Sequence, residues 1–284
     1  MNNIKKNRLK DQLFKFWGIC STLIGLILLT IFIGDILIDG ISRIDWGFIT
    51  DLPSRKAEKS GIYTALMGSI WILILTAFIA IPVGVAAAIY LEEYSKKNWL
   101  SGLLEINISN LAGVPSIIYG LLGLEVFVRI MNLRASVLAG SLTLSLLILP
   151  IIIVASREAI KAVPSSIKDA SYALGASKWQ TIWHQILPAS GGGILTGVIL
   201  ALSRAVGETA PLIVVGALAY VPFAPQNPMD EFSVLPIQIF NWISRPQHGF
   251  IENAAAAIII LLLITFMMNG IAVYFRNKWQ QKWK

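Results

Sequence analysis

Long apolar runs alternate with short polar segments along this chain, and the segments carry most of its lysines and arginines. The first run, at about 16–38, reads FWGICSTLIGLILLTIFIGDILI and follows Lys5, Lys6, Arg8, Lys10 and Lys15. Further runs fall at about 62–91, 106–129, 136–156, 191–219 and 253–275. Each is long enough for the roughly 20 residues a helix needs to cross the hydrocarbon core of a bilayer. The pattern predicts an all-α membrane protein with six spans: a tail over 1–15 and one membrane domain over 16–284. A signal peptide is the alternative for the first run. Its apolar core would be shorter and would end in an A-x-A-like site, which is not found there.

Proline and glycine modulate the runs. Pro82, Pro115 and Pro211 predict kinks, because each removes a helix hydrogen bond. Gly193 and Gly197 form a G-x-x-x-G, which lets another helix approach closely.

The basic residues set an orientation. With the N-terminus inside, the inner segments hold 15 Lys and Arg and the outer segments 7, with Arg204 left within a span. That excess puts both termini in the cytoplasm, with Trp17, Trp99, Trp279 and Trp283 near the inner interface.

Composition agrees. Of 284 residues, 56% are hydrophobic and 14% charged, against about 25% charged in soluble domains. No polar stretch is long enough for a separate core. The single cysteine, Cys20, allows no disulfide within the chain, and His184 and His248 lack metal-ligand spacing. There is no phosphate-binding loop of the G-x-x-x-x-G-K-[ST] type. The net charge of +7 sits beside apolar runs, which fits membrane topology and not nucleic acid.

The inner segment 157–190 contains VPSSIKDASYALGASKWQTIWHQILP and predicts two short helices. Ser166 precedes Asp169 and Ser177 precedes Gln180 at capping-box spacing, and Gly175 between them suits a helix end. Pro188 ends or kinks the second helix. A hairpin lying on the membrane surface and a docking element for a cytoplasmic partner both fit this pattern.

The motif order resembles the E-A-A-x-x-x-G-x9-I-x-L-P loop of ABC-importer permeases. Asp169, Ala170, Gly175, Leu187 and Pro188 stand at matching positions, with Leu174 and Ala176 beside the glycine. The departures are Asp169 for Glu, Ser171 for Ala and Gln185 for Ile. In that family the loop forms a coupling helix seated in a cleft of the ATPase subunit.

IPVGVAAAIYLEEY (81–94), NLAGVPSIIYGLLGL (110–124), SYALGASKWQTI (171–182) and GETAPL (207–212) resemble the PstA-type phosphate permeases. The resemblance runs from about residue 60 onward. It implies the MetI-like fold of type I ABC importers and a heterodimer with a PstC-like permease. It also implies two PstB-like ATPases, an external PstS-like phosphate-binding protein, and alternating access driven by ATP. The chain would have no catalytic residue or cofactor of its own; ATP and Mg would be held by the ATPase. Family members often carry an arginine at the end of the fourth span, where this chain has Val154, with Arg157 next.

Arg204 and Glu208 lie inside an apolar run, and a central charge costs roughly 2.5–3.5 kcal/mol on insertion scales. Their spacing of four puts both on one helical face. One reading is a structural ion pair that lowers the cost of burial. The other is a substrate pathway, with Thr209 beside the pair: a guanidinium matches phosphate oxygens in a bidentate fork. A carboxylate tolerates an anion that still carries a proton and repels sulfate, which does not.

Glu105, Glu125, Asp35 and Asp39 are expected at interfaces or facing the bundle. In the outer loop 220–252, LPIQIFNWI (235–243) predicts a short interfacial helix, a contact for the binding protein or a plain surface element. A permease for another oxyanion, and a stand-alone secondary transporter, are the rival functions. Against the second, no inverted repeat is visible.

Overall fold

The computed structural model describes residues 2–96, 98–217 and 220–281, and every regular element among them is helical. α1 (Asn2–Gly40) and the short α2 (Trp46–Thr50) lead into α3 (Tyr63–Ile89), which ends in a π-helical turn, Tyr90–Tyr94. α4 (Trp99–Leu111) and α5 (Ser116–Gly123, wound on as a π-helix over Leu124–Ile130) precede the long α6 (Val137–Lys161). α7 (Ser165–Ala173) and α8 (Lys178–Thr181) form a hairpin, and a π-turn, Ile182–Ile186, joins α8 to α9 (Leu187–Val206). α10 (Ala210–Val215), α11 (Leu235–Ile243) and α12 (His248–Gln281) complete the chain.

Among the described residues five helical stretches are long and apolar enough to cross a bilayer, and there is a sixth if α4 and α5 are joined. That pair is bent by 104°, so no continuous helix covers the third span expected over 106–129. The cause is local. Pro115, with ψ 134, has no N–H to continue the helix and disfavours helical geometry at Val114.

The fifth span also differs from expectation. α9 stops at Val206 and α10 restarts at Ala210, so no single helix covers 191–219. Pro211 lies in the first turn of α10, where its missing N–H is harmless; it starts a helix and does not kink one. Pro82, by contrast, lies inside an unbroken α3. α6 runs past the predicted end of the fourth span, which places Arg157 on the helix.

α6 is the centre of the bundle. It packs along α3 and α9 and touches α4, α5 and α10. Between lipid-exposed helices, close packing replaces the hydrophobic effect as the main attraction, so small residues at the contacts matter. A Cβ on Gly84 would lie 2.6 Å from Ile152, and one on Gly193 2.6 Å from Ala159 Cβ; one on Gly197 would run into Ala155. The G-x-x-x-G thus does bring α9 against α6. Ser141, Thr143 and Ser145 are buried on α6 but satisfied, each hydroxyl donating to the carbonyl four residues back at 2.7–2.8 Å.

α12 packs against α9, α11 and α1, and α1 lies outermost with Leu23, Leu26 and Ile27 turned outward. α11 forms where LPIQIFNWI predicts a helix, but it is built into the bundle. Leu235 and Trp242 are fully buried, and Trp242 sits between Phe48 and Phe250. The Leu235 N–H donates to Ser69 Oγ at 2.9 Å near the start of α3. In the loop before α11, the N–H groups of Gln226 and Asn227 hold the Asp230 carboxyl below its ordinary value. The Asp230 carbonyl accepts the Val137 N–H at 3.0 Å and fixes that loop on α6.

Candidate functional site

The α7–α8 hairpin is shaped by local chemistry. Ser177 caps α8 through the Gln180 N–H, and Gln180 Oε1 returns a bond to the Ser177 N–H at 2.8 Å, as the capping box predicts. Gly175 closes α7 at φ +83 and an added Cβ would meet nothing, so backbone conformation rather than space requires glycine there. The expected cap at Ser166 does not form. Pro164, with no N–H and a fixed φ, precedes the first helical residue Ser165 and starts α7 two residues earlier.

Four of the seven proposed coupling residues, Ala170, Leu174, Gly175 and Ala176, line one open hollow of about 630 Å³, together with Gln180 and His184. Leu174 is 90% exposed, an uncovered leucine at the tip of the hairpin. Asp169 is exposed on α7 and does not line the hollow. Leu187 and Pro188 lie elsewhere, in an apolar groove of about 400 Å³ with Trp183, Ile194 and Trp279. The Trp279 indole N–H donates to the Pro188 carbonyl at 3.0 Å, fixing α12 to the start of α9.

The Arg204–Glu208 pair sits at the other end of α9. Arg204 is in its last turn, Gly207 ends it, and Glu208 and Thr209 form the break before α10. The pair meets through one contact, Arg204 Nε to Glu208 Oε1 at 3.3 Å. This is long for a charge-assisted bond. Among the described residues the two Nη groups of Arg204 make no hydrogen bond. The guanidinium side is 39% exposed and the Glu208 side chain 16%, so the carboxylate turns inward and the cation outward. Glu208 lines a narrow crevice with Ser69, Leu144 and Val234. Thr209 occupies the cap position of α10, and its side chain makes no capping bond.

The structure places these groups in two sets and does not bring them together: the hairpin at the start of α9, the ion pair at its end. Arg157, the alternative to the arginine expected at Val154, is engaged. Its Nε donates to Glu92 at 3.1 Å and its Nη2 to Glu105 at 2.7 Å. Two carboxylates outweigh one guanidinium, so Arg157 is not free to receive an anion. Glu105 therefore faces the bundle, as expected, and Glu125 pairs with Arg129 on an exposed turn at 2.9 Å. Glu92, Glu93 and Lys168 were not singled out from the sequence. The doublet in YLEEY was the available signal.

A cation at the end of a membrane-length helix, a carboxylate in the break that follows it and an apolar-tipped hairpin at the helix start belong to a multi-pass helical membrane protein. The chain belongs to the binding-protein-dependent transport system inner membrane components, whose family model matches residues 80–281, and within them to the PstA-type ABC permeases. It is 32% identical over 273 residues to the phosphate transport system permease protein PstA of Yersinia pestis, covering 95% of this chain and 92% of that one. It is 31% identical over 280 residues to the probable ABC transporter permease protein YqgI of Bacillus subtilis (strain 168), covering 94% of each. Among solved structures, a chain of a bacterial alginate ABC transporter superposes with a TM-score of 0.71 at 13% identity, covering 97% of each chain. A chain of the MetNI methionine ABC transporter gives 0.61 at 15% identity, covering 77% of this chain and 97% of that one. These likenesses establish the MetI-like importer fold.

Proposed function

We propose that the chain carries inorganic phosphate across the cytoplasmic membrane of a bacterium as one permease subunit of an ATP-driven importer. The observation that carries the reading is the state of Arg204. It is held at the end of α9 by a single long contact among the described residues, with both Nη groups left for a bidentate oxyanion. The PstA relatives support phosphate as that oxyanion. Glu208 then accepts the proton that phosphate retains near neutral pH, a hydrogen bond sulfate has no donor for.

The hairpin is the seat of a PstB-like ATPase, with Leu174 filling an apolar pocket of that partner. A PstC-like permease completes the pathway as a heterodimer, and a PstS-like protein delivers phosphate from outside. Both termini lie in the cytoplasm, and ATP with Mg is bound and hydrolysed on the partner. The α8–α9 continuity through Pro188 joins ATPase motion to Arg204 along one helix. Purification of the chain from membranes tests this assembly. An ATPase and a second permease should accompany it, and proteoliposomes of the complex should import phosphate when ATP and the binding protein are supplied. A chain that transports alone would refute the reading.

A further inference from the structure

Glu92 and Glu93 are neighbours in the π-turn that ends α3, yet they hold different parts of the molecule. Glu92 accepts from Arg157 of α6, and Arg157 also binds Glu105 of α4. Glu93 faces the hairpin. Its Oε1 accepts Lys168 Nζ of α7 at 2.5 Å, and its backbone carbonyl accepts Lys178 Nζ of α8. The Lys178 ammonium also lies 4.8 Å from the centre of the Tyr94 ring. Ser171 Oγ and Thr181 Oγ1, 2.9 Å apart, clip α7 to α8.

The Glu93 side chain is only 7% exposed and Lys168 22%, so solvent screens this pair far less than a surface ion pair. Removing one partner would leave the other charge poorly solvated. π-turns of this kind recur at functional positions in helices. Both hairpin helices thus grip the end of α3, and the adjacent glutamate ties that same turn to α4 and α6.

We infer that the Glu92–Glu93 doublet is the joint through which displacement of the α7–α8 hairpin reaches α3 and α6, with Glu93 as its positioning residue. This rests on the proposed ATP-driven function. The hairpin has a direct route into the bundle, its covalent continuation into α9. Through Glu93 it has a lateral route into α3, which packs along α6, which in turn packs along α9. With both routes intact, α3, α6 and α9 move as one body. With the lateral route cut, α9 is pulled while α3 and α6 lag, and ATP is spent without opening the pathway.

The test uses the complete transporter in proteoliposomes and reads phosphate imported per ATP hydrolysed. Glu93→Gln, which keeps size and removes charge, should lower that ratio about two- to thirtyfold, the range for loss of one coupling contact, while hydrolysis persists. Lys168→Glu alone should do the same, and the exchange Glu93→Lys with Lys168→Glu should restore much of the ratio. An unchanged ratio in Glu93→Gln, or an exchange no better than its single variants, overturns the joint.

If the wild-type complex hydrolyses ATP but ignores phosphate, the phosphate reading fails and not the joint. The joint is then judged by the distance between spin labels on α7 and α3 with and without trapped nucleotide. It should stay constant in wild type and change in Lys168→Met, and equal behaviour of the two overturns the proposal.

Discussion

Arg204 Nε lies 3.3 Å from Glu208 Oε1 across the point where α9 has already ended. The pair is not two side chains stacked on one continuous helix. A glycine and a fresh helix start separate the end of α9 from α10, and the contact bridges that break. A single long contact is easily exchanged for another acceptor, which a bidentate buried pair would not permit.

Arg204→Gln should abolish phosphate uptake while the complex still assembles. Losing two charge-assisted hydrogen bonds costs roughly 3 kcal/mol, or about 100-fold in transport rate. Uptake assays paired with size-exclusion analysis of the solubilised complex measure both. Disappearance of the assembled complex would show instead that the pair only stabilises the bundle.

Glu208→Gln should keep measurable transport but narrow the preference for phosphate over sulfate. The amide no longer repels the fully ionised anion, and it still offers an acceptor oxygen to a phosphate proton. Competition of labelled phosphate by sulfate reads the effect. The same competition curve in variant and wild type would remove Glu208 from selectivity.

Gly197→Leu should disrupt α6–α9 packing, because even a Cβ there runs into Ala155. Overpacking of a tight contact costs about 1–3 kcal/mol, and more where a backbone must move. The melting temperature of the purified protein should fall. The same change at Gly207, where an added Cβ meets nothing, should have a smaller effect.

The sequence revealed most where local chemistry decides. The Ser177–Gln180 box, the positive φ at Gly175 and the close approach at Gly193 and Gly197 each follow from a few adjacent residues. Bilayer thickness sets the length of the apolar runs in the same way, although among the described residues only five of the six expected spans contain a single helix long enough to cross. Two proline signals were correct as interruptions but not in kind. Pro115 turns the chain by 104°, and Pro211 begins a helix. Sequence does not say whether a proline kinks, stops or starts a helix, because neighbouring packing chooses among them.

The ionic contacts were the least legible. Lys168 reaches Glu93 from 75 residues away, and Arg157 meets Glu92 and Glu105 from 65 and 52. No periodicity records such separations. The Arg204–Glu208 contact was visible from its spacing, although the helix assumed to carry it ends between the two residues.

The central claim is that this permease passes phosphate through Arg204 under the control of an ATPase. Its most direct measurement is ATP hydrolysis by the reconstituted complex with its binding protein, with phosphate, arsenate, sulfate and molybdate tested in turn. Phosphate should stimulate hydrolysis, arsenate should compete, sulfate and molybdate should do neither, and Arg204→Gln should abolish the stimulation. Equal stimulation by sulfate or molybdate, or full stimulation by phosphate in Arg204→Gln, would contradict the account.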